Sequence, residues 1–267
     1  MKTASSEVGG RKYDYLLPVN NEQFMVLEAN NMNTIRKREM QGYFYTPVGY
    51  VFIGVFLAVS SVMFYVDILR TRSGDLPVFI SDMSYLWMLL CPILTMRLLA
   101  EERQKKTDQL LLTSPVSLPG IVIGKYLAAV TVLLITAGMT LFYALVVALY
   151  GQVYPAELAV NYLGFILQGC ALVAMDMFLS GCAATPVIAA VLAYGVNLLL
   201  WIVDLLYSTI TVDWLSGILK FISLYWRNEN FIKLGQLSFA TILFDLSFIA
   251  AFLALTVFRL DRRRYRR

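Results

Sequence analysis

Six long apolar runs punctuate the chain, at about residues 48–69, 79–100, 119–149, 158–181, 186–207 and 239–258. Each is near or beyond the roughly 20 residues that a helix rising 1.5 Å per residue needs to cross a hydrocarbon core. Backbone polar groups cannot go unpaired in lipid, so these runs predict helices; the period-2 alternation of a membrane barrel is absent. The third run is the longest and can span with tilt or protrude as a stalk. Two amphipathic stretches flank this framework. Residues 34–46 set Arg36, Lys37 and Arg38 against Ile35, Met40, Tyr43 and Phe44. Between the fifth and sixth runs, Trp214, Leu215, Ile218, Leu219, Ile222, Tyr225 and Trp226 recur at helical spacing in a segment too short and polar to span. Such a segment suits an aromatic-belt helix lying flat at the membrane surface. Residues 1–33, rich in Asn and Gln and without a continuous apolar core, are expected to be a retained, partly disordered tail and not a domain.

Composition agrees with the pattern. Hydrophobic residues make up 59% and charged residues 15% of the 267 positions, against about 45–50% and 25% in soluble domains. Seventeen of the 22 Lys and Arg fall ahead of the first run, around the loop after the second run, or at the C-terminal end. The positive-inside rule then places both termini in the cytoplasm of an all-helical, six-span protein in the cell membrane. The net charge of +4 reports this orientation, and no nucleic-acid partner is needed to explain it.

Several chemistries are excluded. With no histidine in the chain, Ser-His hydrolysis, His-ligated zinc proteolysis and His proton relays fall away. Cys91, Cys170 and Cys182 lie in or beside apolar runs without CxxC spacing and read as small buried hydrophobes, leaving no metal site. The string LPGIVIGKY resembles a phosphate loop but has Pro119 at the first glycine position and Tyr126 in place of Ser or Thr. Gly120 and Gly124 instead suit close helix packing. Asp176, Asn197 and Asp245 are polar groups at membrane depth and candidates for a transport pathway, although hydrogen bonding between helices explains each equally well. Asp176 lies near one end of its run and Asp245 near the opposite end of its own, which argues against a catalytic Asp dyad. No catalytic residue is assigned.

The segment from Leu98 to Ser117 breaks the apolar pattern: Glu101, Glu102, Arg103, Gln104, Lys105, Lys106, Thr107, Asp108 and Gln109 precede Leu110, Leu111, Leu112 and Thr113, with Pro115 and Pro119 following. Acids in the first turn and prolines at the end predict a short helix with a polar front and a leucine-rich back. On periodicity alone it serves equally as a snorkelling interfacial helix or as a docking helix for a partner groove.

The string EERQKKTDQLLLTSPVSLPGIVIGKYLAA resembles the signature region of type-two (ABC-2) ABC exporter permeases, in which a Glu-Glu-basic stretch leads to Thr, Glu-Leu-Leu-Leu-Thr-Ser/Ala-Pro-Val-Ser and then Gly-Lys. The correspondence covers Glu101, Glu102, Thr107, Leu110 to Ser117, Gly124 and Lys125. Residues 34–64 look like the family's amphipathic N-terminal helix and first span, and residues 226–264 like its last span and basic tail; the gliding-motility-type branch is the most similar. The resemblance implies an ABC-2-type transmembrane domain over residues 34–267 that is not an enzyme and binds no cofactor itself. ATP and Mg would sit on a separate, dimeric ATPase subunit. Residues 101–113 would rest on that subunit, the helix at 34–46 would frame the same socket, and the stretch before the last span would form an outer helical hairpin. A second permease chain, identical or paralogous, would complete the complex, with an accessory subunit bearing an extracellular domain as a further partner beside membrane lipid. The same features fit a non-transporting mechanotransmitter or scaffold of an envelope complex. The sequence departs from the family at Lys106, where Gly is common, and at Gln109, where Glu is common. Loss of the Gly suggests a more continuous helix there; loss of the Glu removes a salt bridge.

Overall fold

The computed structural model describes residues 4–8, 11–15, 34–71, 74–107, 117–150, 153–209, 228, 232, 235 and 238–265. Within the tail, β1 (Ala4–Val8) and β2 (Arg11–Tyr15) pair antiparallel, with Val8 opposite Arg11 across a Gly-Gly connection. Among the described residues, every other element is helical. Helix α1 covers residues 34–45. It is followed by α2 (Pro47–Phe64), which continues as a π turn over Tyr65–Arg70, then α3 (Leu76–Thr95), α4 (Ala100–Gln104), α5 (Leu118–Tyr150), α6 (Pro155–Cys182), α7 (Pro186–Thr209) and α8 (Phe239–Tyr265). Among the described residues, six helices are long and apolar enough to cross a membrane, matching the six apolar runs.

Prolines begin several of these helices because the first-turn N–H groups have no intrahelical acceptor and proline supplies none. Pro47 opens α2, Pro77 lies in the first turn of α3, and Pro155 opens α6. The second apolar run, expected to stay helical to residue 100, ends at Thr95 and passes through a turn at 96–99 before α4. A side chain from another helix explains the break. The Ser180 hydroxyl accepts hydrogen bonds from the N–H groups of Leu99 and Ala100, both at 3.3 Å, and donates to the Met96 carbonyl at 3.1 Å. These partners satisfy the backbone groups that a continuous helix would have paired internally.

Helices α3 and α6 form the centre and pack on each other; α2, α5, α7 and α8 surround them. About 67% of the apolar window of each central helix is buried, against 17% for α7 and α8, so the peripheral pair offers most of its surface to lipid or to another chain. Trp87 of α3 anchors the middle of the core. Its indole N–H donates to the Phe165 carbonyl at 3.2 Å, and its ring lies 4.4 Å from that of Phe56 and 4.8 Å from that of Phe165. Gly169 permits this approach: a Cβ there would meet Leu133 Cδ1 at 2.7 Å and the Trp87 indole nitrogen at 3.2 Å. Small residues at helix contacts let backbones close up where lipid gives no hydrophobic drive for association.

Candidate functional site

The charged segment after α3 meets α1, α5 and α6 at one end of the bundle. Helix α5 begins at Leu118 with the Ser117 hydroxyl accepting from the Gly120 N–H at 3.3 Å, and Pro119 sits in its first turn. Two turns in, the Lys125 side chain is enclosed by the protein and is 1% exposed. Its Nζ lies 2.8 Å from Glu39 Oε1 of α1 and 2.7 Å from Glu102 Oε1 of α4. A lone ammonium near hydrocarbon is costly, and two carboxylates bearing on it offset that cost. The geometry also disposes of the phosphate-loop resemblance, because the lysine is already enclosed by carboxylates. The result is a three-element clasp of α1, α4 and α5.

Helix α1 is fastened a second time. The Tyr43 hydroxyl donates to the Leu94 carbonyl of α3 at 2.8 Å. Burial, with the Glu39 carboxylate adding to it, pushes the Tyr43 phenol well above its usual range, so it stays a donor. Arg36, Lys37 and Arg38 lie exposed on other faces of the same helix.

Helix α4 is joined to the C-terminal end of α6 by Arg103. Its guanidinium donates to the Ala183 carbonyl at 2.6 Å and to the Cys182 carbonyl at 3.2 Å. Arg263 of α8 donates to the neighbouring Gly181 carbonyl at 2.5 Å. The last carbonyls of a helix lack intrahelical partners and carry partial negative charge, which cations complement. Glu101 faces the other way, pairing with Lys105 at 2.7 Å and Arg97 at 3.7 Å.

The expectation of a more continuous helix at Lys106 is corrected. Helix α4 stops at Gln104, and Lys106 adopts φ +56°. The N–H of Thr107 reaches back to Glu102 O at 2.9 Å, and that of Lys106 to Arg103 O at 3.2 Å. This is a helix-terminating turn of the kind glycine favours, here built with lysine in the left-handed region. Thr107 sits in that turn. Gln109, Leu110, Leu111, Leu112 and Thr113, and the stretch expected to form an outer hairpin at 210–227, lie outside the described residues.

The structure brings together two of the three pathway candidates. Asn197 Nδ2 of α7 donates to Asp176 Oδ2 of α6 at 3.4 Å and to the Met88 carbonyl of α3 at 3.0 Å. That carbonyl is free because Pro92, one turn on, has no N–H to give it. Asn197 thus repairs a helix ladder broken by proline, as neighbouring side chains do in membranes. Asp245 is equally buried but lies elsewhere. Asp245, on α8, acts electrostatically on Cys170 of α6, six residues before Asp176, and no hydrogen bond between Asp245 and the Asp176–Asn197 pair is seen among the described residues.

Sequence reasoning missed Glu39 and Ser180 as partners, and gave Lys125 no role beyond its place in the Gly-Lys pair. One signal for Lys125 was present: an isolated lysine inside an apolar run requires an acid from another element. Nothing in the local sequence distinguishes Ser180 from a packing residue.

No curated protein matches the chain. A family model described as ABC-2 family transporter protein matches residues 53–227, which include most of α2, all of α3 to α7 and the lysine clasp apart from Glu39. That match extends over more than half of the chain, and with the six membrane helices it means that the chain belongs to the ABC-2 family and is a multi-pass transmembrane permease of an ABC transporter.

Proposed function

We propose that this permease belongs to an exporter and that its charged segment from Glu101 to Thr113 is the surface through which a separate ATP-binding subunit moves the bundle. The family generally leaves hydrolysis to such a subunit; ATP and Mg would bind there and not on this chain. The observation that carries the reading is the clasp of Glu39, Lys125 and Glu102, which ties the segment next to the family signature to both α1 and α5. A push on α4 is passed to α5 and α1 through Lys125, and to α6 through Arg103. Closure of the ATPase dimer would then bias the bundle between two arrangements by its differing contacts with each. The proposal places both termini in the cytoplasm, the complex in the cell membrane, and a second permease chain against the exposed faces. An accessory subunit with an extracellular domain would fit the gliding-motility-type branch.

The test is co-expression of the full chain with its ATP-binding subunit, carrying Leu111→Asp and Leu112→Asp together. The expected result is loss of most co-purifying ATPase while the permease stays folded and in the membrane. Unchanged co-purification with unchanged coupling of ATPase activity would sink the docking role.

A further inference from the structure

The outer side of α1 carries a second feature that the transport reading does not use. Helix α1 meets α2 at a sharp corner: Thr46 is extended (φ −99°, ψ 153°), its hydroxyl donates to the Gly42 carbonyl at 2.7 Å, and Pro47 starts α2. In the angle lies an open groove of about 560 Å³ lined by Arg36, Lys37, Met40, Phe44, Tyr45 and Tyr50. The Phe44 and Tyr50 rings meet edge-on at 5.7 Å and form its apolar wall. Tyr45 and Tyr50 are 87% and 61% exposed.

We infer that this groove binds one anionic glycerophospholipid, with the phosphodiester on Arg36 and Lys37 and the acyl chains leaving past Phe44 and Tyr50 along α2. Charge is the first argument. The acid of α1, Glu39, is turned inward onto Lys125. Among the described residues, the ion pairs involve neither Arg36 nor Lys37, so the groove presents cations for an anion to neutralise. Position is the second. The apolar wall adjoins the start of a spanning helix, and the exposed Val51 and Val55 of α2 continue it toward the membrane interior. A soluble anion uses the cations and leaves the aromatic wall wet; a lipid uses both, and amphipathic aromatic and basic residues at this level are the general means of holding one. The inference requires α1 to lie along the membrane surface; it does not require the ATPase.

The experiment is native mass spectrometry of the purified full chain after exchange into mixed phosphatidylglycerol and phosphatidylcholine. Phosphatidylglycerol is expected to be retained in preference to phosphatidylcholine. The Arg36→Gln, Lys37→Gln double variant is expected to reduce that preference roughly ten- to thirtyfold, given the typical attraction of two basic residues for an anionic surface. Tyr50→Ala keeps the charges and is expected to lower retention of both lipids. Equal retention of the two lipids by the unaltered protein overturns the proposal without recourse to any variant. So does an unchanged preference in the double variant, or displacement of the lipid by millimolar inorganic phosphate, which would mark a soluble-anion site. Because no ATPase is present, failure here is separable from failure of ATPase docking.

Discussion

Lys125 is the residue on which most of the junction depends, and its replacement by methionine has a definite expected outcome. The substitution keeps the stem and removes the charge, leaving the Glu39 and Glu102 carboxylates on either side of it with no cation between them. Breaking a largely buried ion cluster by deleting one partner typically costs about 3 kcal/mol. The midpoint of thermal unfolding in detergent should fall accordingly. Adding Glu39→Gln and Glu102→Gln to the methionine variant should recover part of the loss, since neutral amides no longer repel. A midpoint that stays put in Lys125→Met would remove the clasp from the account. Of this cluster, the sequence displayed the lysine and the Glu-Glu pair but not their meeting. Glu39 stands 86 residues from Lys125, and within the string RKREM it reads as one more exposed charge. Long-range pairing of this kind has no local signature.

Element ends were the least legible feature. The six spans could be read directly because bilayer thickness demands about 20 apolar residues in each, whatever packs against them. Where α3 stops could not, since a hydroxyl on α6 decides it. The end of α4 is similar. Lysine is a good helix former, so the local rule extended the helix through Lys106, whereas the backbone turns left-handed there and closes on Glu102 and Arg103. Restoring glycine by Lys106→Gly should therefore stabilise the folded protein by about 1 kcal/mol, the usual cost of a side chain in this region. The check is again the unfolding midpoint, which is expected to rise. A fall would mean that the Lys106 side chain makes a contact that outweighs its backbone strain.

At the scale of the whole molecule, the charges sort with the helix ends. Glu39, Glu102, Arg103, Lys125 and Arg263 all gather where α3 and α6 end and α5 begins. This is the arrangement the positive-inside rule anticipates for a cytoplasmic face. A fluorescent reporter that folds only in the cytoplasm should accordingly be bright when fused to either terminus and dark when inserted between Tyr150 and Val153. A bright internal insertion, or termini of opposite behaviour, would require a different number of crossings. The coarse architecture was legible because it follows from solvent alone. The junction was not, because it is assembled from polar groups that α1, α3, α4, α5, α6 and α8 bring together from distant parts of the chain.

The Ser180 hydroxyl fills the corner between α3 and α4 by taking two N–H groups and giving its own proton to a carbonyl. A corner pinned by three hydrogen bonds to a central helix has little slack, so α3, α4 and the end of α6 respond to force as one stiff frame. Under the proposed function, movement imposed at α4 would then not be absorbed locally and would reappear at the far end of α3, about 30 Å away along its 20 residues. The give in the bundle must lie outside that frame, at the Thr46 corner or in the π turn that ends α2.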